Sequence, residues 1–257
     1  MGTFCMAEWD WETDDFAALW YSDANDRFPR PLAYTSRLPT NDEVAAHRIA
    51  VRDRYDTEES ERINLAFHTL TTSQLRIEIL GESTTLGKGT PREYRIVGAR
   101  TPYHAVMLTQ TAADGTHGRI RCRLFRPEHL APRLARVLPS FPSGTASPET
   151  FNIEDLRQRT DNHGYSRTSA RERFERLAER PTDGGGVAGL LTGPIHSRPD
   201  PWYTAQWLDI AGDGRYLQQR TREHLTMRPA TTADLTTLFT AWIDRVLQRL
   251  RETDENW

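Results

Sequence analysis

The chain has 257 residues, of which 37% are hydrophobic, with a mean hydropathy of −0.68 and a formal net charge of −3. No run approaches the roughly 20 apolar residues a membrane-spanning helix needs, and so small a net charge gives no global attraction to nucleic acid or to an anionic membrane. The first 26 residues carry seven acids and no base, the reverse of a signal peptide's positive start, so the expectation is a cytoplasmic protein.

In chain order, Thr13-Asp-Asp begins a short helix, with acids at the positive end of its dipole and Phe16, Leu19 and Trp20 facing inward. Phe28-Pro-Arg-Pro-Leu32 forces an extended crossing. Thr40-Asn-Asp-Glu43 is a capping box that starts a helix running toward Tyr55. A further helix from Asp56 carries Ile63, Phe67 and Leu70. Leu75-Arg-Ile-Glu-Ile79 alternates as a strand does, and residues 94–97, 104–110 and 119–125 follow it as an antiparallel meander. The Asp114-Gly115 turn supports that arrangement. Leu130, Leu134, Val137 and Leu138 then give a helical rhythm.

Pro139 to Pro148 holds three prolines with serine, threonine and glycine, which predicts a hinge, and mobility is expected over much of 139–169. Phe151-Asn-Ile leads as a short strand into a helical turn, and 170–180 forms a charged helix. Gly184-Gly-Gly reads as a flexible entry to a second set of strands at 187–191, 203–210, 215–220 and 223–227. The chain ends in a long helix whose apolar positions are Leu235, Leu238, Phe239, Trp242, Ile243, Val246, Leu247 and Leu250. Strand, turn, strand, helix thus occurs twice, an internal pseudo-repeat of element order. The fold class is α+β: a central antiparallel sheet with helices, made of two similar halves (about 13–138 and 170–252) joined by a linker (about 139–169).

Residue patterns for chemistry are weak. Residues 81–89 have the wrong spacing for a phosphate loop, and Gly164-Tyr-Ser-Arg-Thr168 lacks the second glycine of a nucleophile elbow. The eight histidines never fall at ligand spacing, and Cys5 and Cys122 form neither a metal motif nor a disulfide framework. No catalytic residue, metal or cofactor is assigned. Aromatic and arginine residues, which dominate interface energetics, do cluster: Trp202, Tyr203, Trp207 and Tyr216 lie beside Arg215, Arg220, Arg222 and Arg228. The residues alone leave open a binding protein, an adaptor, a small-molecule enzyme and, least of all, a nucleic-acid binder.

Phe16-Ala-Ala-Leu-Trp20 followed by Pro29-Arg-Pro-Leu32 resembles the opening of the EspG family, the ESX (type VII) secretion-associated proteins of actinobacteria. The similarity continues through residues 62–79, returns at Gly212-Asp-Gly-Arg-Tyr-Leu217 and extends over 229–246. Its arginine bias, with Lys88 the only lysine among 33 basic residues, fits the GC-rich genomes of the same source. The resemblance implies one EspG-like domain over 1–257, with a central antiparallel sheet and helical parts related by a quasi-two-fold. It further implies a cytoplasmic chaperone without enzymatic activity. Such a chaperone binds the helical tip of a PPE protein in a PE–PPE heterodimer and delivers it to an ESX secretion system, meeting the secretion machinery only through that cargo. The family's binding surface uses the sheet and the C-terminal helical part. Carried to this sequence, that points to Trp202, Tyr203, Trp207 and Leu225 as apolar contacts and to Arg215 and Arg228 as specificity residues.

Overall fold

The computed structural model describes residues 7–157 and 169–254. Its elements are β1 (Ala7–Trp11), α1 (Thr13–Trp20), α2 (Asn41–Arg52), α3 (Thr57–Thr71), β2 (Leu75–Ser83), β3 (Arg92–Arg100), β4 (Ala105–Ala113), β5 (Thr116–Phe125), α4 (Leu130–Val137), β6 (Glu149–Asn152), α5 (Ile153–Arg157), α6 (Ala170–Ala178), β7 (Thr182–Thr192), β8 (Tyr203–Ile210), β9 (Gly214–Arg220), β10 (His224–Pro229) and α7 (Thr232–Asp254). The strands form one ten-stranded sheet in the order β1-β5-β4-β3-β2-β7-β8-β9-β10-β6. All of its pairings are antiparallel. The α+β class with a central antiparallel sheet is therefore as the sequence predicts. Element order also repeats: in each half an edge strand and helices precede a four-strand meander closed by a helix, and the edge strand pairs with the meander's last strand.

Strand alternation sorts the side chains onto two faces. On one, Leu75, Ile77, Ile79, Ile96, Met107, Ala188, Leu190, Ala205 and Trp207 pack under α4 (Leu130, Leu134) and α7 (Leu235, Phe239, Trp242). Gly98 lets α4 seat closely, since a Cβ there would lie 2.7 Å from a Leu130 methyl. On the other face, Val97, Ala99, Val106 and Leu108 pack under α1 and α3 through Phe16, Trp20, Ile63, Phe67 and Leu70. The C-terminal half is covered there by α6, whose Phe174 and Leu177 meet Ile210, Tyr216 and Met227. Thr40 and Glu43 form the expected capping box of α2.

Two elements differ from the sequence reading. The first is β1, which the acidic N-terminus concealed. Trp9 and Trp11 turn into the core while Glu8, Asp10 and the following Glu12 face arginines of β5. Arg119 reaches Asp10 at 2.8 Å and Glu12 at 2.6 Å, and Arg123 reaches Glu8 at 3.0 Å. The Arg123 guanidinium holds the Glu8 carboxyl below its usual range. The second is the glycine run at 184–186, which is sheet interior and not a flexible entry. A Cβ on Gly186 would lie 2.5 Å from both the Trp207 ring and the Tyr94 hydroxyl, so glycine is what lets these two rings sit over the strand.

The expected hinge is likewise tied down where it is described. Ser143 bridges to Arg215 in parallel register, Arg215 N–H donates to Pro142 O (2.7 Å), and Gly144 N–H donates to Arg215 O (3.1 Å). Ala146 N–H donates to the Tyr216 hydroxyl at 2.8 Å. The rest of the predicted mobile stretch, 158–168, lies outside the described residues. At the hub of this strap, Asp213 accepts from Tyr216 (2.8 Å), Arg180 (2.6 Å) and both the N–H and hydroxyl of Thr145 (2.9 Å each). Burial works to push its carboxyl up, but these bonds outweigh burial and hold it well below the usual carboxylate range. A group whose folded pKa is depressed adds stability that is fully present above its unfolded pKa, about 4, and is lost as pH falls from there toward the folded value. Urea unfolding is therefore expected to lose more stability between about pH 5 and pH 2.5 in the wild type than in Asp213→Asn. Equal losses in the two proteins would remove Asp213 from the acid response.

Candidate partner-binding face

The six residues expected at the interface do not share a surface. Trp207 is fully buried beneath the α4 and α7 layer. Arg215 is also buried: its Nε and Nη2 donate to the Asp209 carboxylate at 2.6 and 2.8 Å, Nη2 donates to Pro139 O at 2.8 Å, and its guanidinium stands 6.0 Å from the Trp207 ring centre. Leu225 is buried on the opposite face, in register with Phe151. The structure places these three in the core and not on an open surface. Alternation along β8 turns Tyr203, Ala205 and Trp207 toward α7, and a large side chain on a covered face has no route to a partner.

The other three are accessible but separate. Trp202 is 38% exposed with the Arg249 guanidinium 5.5 Å from its ring centre. Tyr203 is half-buried and stacks on Trp242 (5.8 Å, 16°). Both sit at the C-terminal end of α7, whereas Arg228 lies at its start and pairs with Asp234 at 3.0 Å.

A different surface stands out at the middle of the sheet, on the face away from α4 and α7. Leu80 and Val187, each 45% exposed, are register partners on the two central strands β2 and β7. Their row continues into Arg95 on β3, Gln206 on β8 and Gln218 on β9. The helices on this face leave that row open, because α1 and α3 cover the N-terminal strands and α6 covers the Tyr216–Met227 end. Sequence gave a signal for it: Leu75, Ile77 and Ile79 alternate inward, so Leu80 is apolar out of phase.

Arginines stand along the row. Arg95 donates to Glu93 at 2.7 Å. Toward the other end of β2, Arg76 is fully buried, pairing with Glu78 at 2.7 Å and donating to the Gly193 and Pro194 carbonyls at 2.9 Å each. It thereby fixes the loop that lays Ile195 into the core and carries Arg198. Burial first, and then the neighbouring Arg30, lower the Arg198 pKa, with Glu78 opposing. An apolar pair flanked by amides and guanidinium groups suits contact with another protein. Among the described residues, no group of three or more His, Cys, Asp and Glu side chains is placed to hold a metal ion. Burial pushes the enclosed Cys122 thiol up, away from the reactive thiolate.

Comparison with known proteins decides the family. The model of the EspG family matches residues 12–238. The chain belongs to the EspG family. A solved structure of the Mycobacterium tuberculosis type VII secretion system chaperone EspG5, in complex with a PE25–PPE41 dimer, matches it with a TM-score of 0.57 at 12% identity. That match covers 90% of this chain and 94% of the other, so the two share a fold. Two further structures align with scores too low to carry an argument. They are a TesB protein of Mycobacterium avium subspecies paratuberculosis (TM-score 0.20, 9% identity, 84% of this chain and 97% of that one) and HtdX of Mycobacterium tuberculosis (0.18, 13%, 88% and 98%). No curated protein sequence matches the chain. Among the described residues of this EspG-family chain, no helix is long and apolar enough to cross a membrane.

Proposed function

We propose that this EspG-family chain is a cytoplasmic, non-enzymatic chaperone. It binds the helical tip of a PPE protein within a PE–PPE heterodimer, keeps that tip from aggregating and directs the pair to a type VII secretion system. The observation that carries the reading is the family match over residues 12–238, and the fold shared with an EspG5 that was itself captured with a PE–PPE dimer supports it. The two repeating halves are taken as a quasi-two-fold pair within one domain.

The physical requirement is simple. A helix tip with exposed apolar residues aggregates unless covered, and cover is supplied by an apolar strip bordered by polar groups. The open row through Leu80 and Val187 meets it, and we place the client there, between the N-terminal helices and α6. Trp202 with Arg249 is a second place for the client, favoured by the exposure of that ring.

The test is co-expression with PE–PPE pairs from the same genome, followed by size-exclusion chromatography. Co-elution with a heterodimer is the expected result. If no soluble pair co-elutes, the chaperone reading fails and a non-catalytic adaptor with another partner takes its place.

A further inference from the structure

A second surface lies on the face away from the proposed client row, and no step of that reading uses it. Below the C-terminal end of α4, the lower parts of β3, β4 and β5 form an open basin of about 670 Å³. Arg119, Arg121, Arg123 and Arg136 line it, with Asp10 as the acid among its lining residues and Leu86 and Val137 as accessible apolar groups. Leu86 is 36% exposed, and Val137 is partly buried against the core.

The arginines are not equally engaged. Arg119 spends its donors on Asp10 and Glu12, and Arg123 on Glu8. Arg121 stands between two carboxylates without closing on either, at 3.4 Å from Glu8 and 3.6 Å from Asp10. Arg136 has no carboxylate within ion-pair distance among the described residues, and it stands near Arg133 and Arg123, where like charges accumulate. Five arginines thus face three carboxylates. The Arg133 guanidinium lies 4.6 Å from the Phe125 ring centre; among the described arginines that line the basin, Arg121 and Arg136 are the two without a hydrogen bond closed on a carboxylate.

The molecule also shows what such a surface accepts. Arginines two apart on β5 are spaced about 7 Å, the repeat of alternate residues on any extended chain. β1 exploits that match from one side, with alternating acids against alternating arginines in register. We propose that the basin binds an extended acidic segment of a partner protein, with carboxylates on Arg121 and Arg136 and an apolar side chain between Leu86 and Val137. Because this surface and the Leu80–Val187 row lie on opposite faces of the sheet, the segment can engage while a client is bound. The inference stands on the basin's own geometry whether or not the client reading holds.

The probe is a fluorescein-labelled octapeptide of alternating glutamate and phenylalanine, followed by anisotropy at low salt, with a glutamine–phenylalanine peptide and inorganic phosphate as comparators. Binding is expected for the glutamate peptide, with a loss of about tenfold or more on charge reversal in Arg136→Glu and a smaller loss in Leu86→Glu. Arg136 is exposed on α4, and the ion pairs of the β1 acids are made with Arg119, Arg121 and Arg123, so its reversal removes none of the pairs that hold that strand; Arg121→Gln is a second variant. The proposal is overturned if the glutamate peptide does not bind, if Arg136→Glu binds it unchanged, or if the glutamine peptide binds as tightly. Equal displacement by phosphate at the same concentration would make this a small-anion site and overturn the peptide assignment.

Discussion

Replacing Leu80 and Val187 together by glutamate should weaken the proposed PE–PPE binding by about a hundredfold or more while leaving the chain folded. The magnitude follows from interface energetics: a central apolar contact is worth about 2 kcal/mol or more, and about 1.4 kcal/mol is a factor of ten in affinity. Two such contacts replaced by charges also leave carboxylates facing an apolar tip. Folding survives because both side chains already stand in solvent at 45% exposure and contribute to neither main core cluster, and the repulsion between two glutamates in register on neighbouring strands costs only about 1 kcal/mol. Retention of the co-elution complex by the double variant would exclude this row as the binding face. Trp202→Ala is the matched control: loss of binding there, with the row variant intact, moves the client to the C-terminal end of α7.

Why the row escapes a reading of the sequence, while the sheet does not, is a matter of parity. Alternation locates β2, β4, β5 and β8 from local residues alone. It also separates the two faces of β8, with Tyr203 and Trp207 on one and Leu208 and Ile210 on the other. What it cannot say is which face a helix will cover, because β8 is covered by elements outside its own stretch, α7 from beyond β9 and β10 and α6 from before β7. Trp207 therefore reads as an anchor for a partner when it is an anchor for α7. A residue one step out of phase, such as Leu80, is the better indicator, since an apolar side chain on the second face needs its own explanation.

The same limit applies to β1 and to the strap. Ala7-Glu-Trp-Asp-Trp11 alternates like any half-buried strand, but the arginines that neutralise its acids are more than a hundred residues away, in β5. Pro139 to Pro148 has the composition of a hinge, and its partners Asp213, Arg215 and Tyr216 lie about seventy residues downstream. A different partnership, within one hairpin, was within reach of local reasoning. A turn at Ala211-Gly-Asp213 that pairs Ile210 with Gly214 places Asp209 across from Arg215, an opposite-charge pair on the face that carries Trp207.

That pair sets the largest stability effect expected in the molecule. Arg215→Met should destabilise the fold by about 3 to 5 kcal/mol, because it leaves the Asp209 carboxylate without a cation in a site closed to water. Asp209 is fully buried and Arg215 nearly so, so no solvent is at hand to replace the two charge-assisted bonds. The substitution also takes a donor from the Pro139 carbonyl, while the backbone bonds of Arg215 to Pro142 and Gly144 persist. The strap should loosen at its Pro139 end first. For a chain of this size the unfolding midpoint falls by roughly 10 °C on that cost. The decisive comparison is the double variant Asp209→Leu with Arg215→Met. Removing both charges removes the stranded carboxylate, so the pair of substitutions should cost much less than Arg215→Met alone, as apolar replacements of buried ion pairs do. Urea unfolding followed by tryptophan fluorescence reads both, since Trp207 lies directly under the guanidinium. A double variant as unstable as the single one would mean that packing over Trp207, and not the uncompensated charge, is what Arg215 supplies.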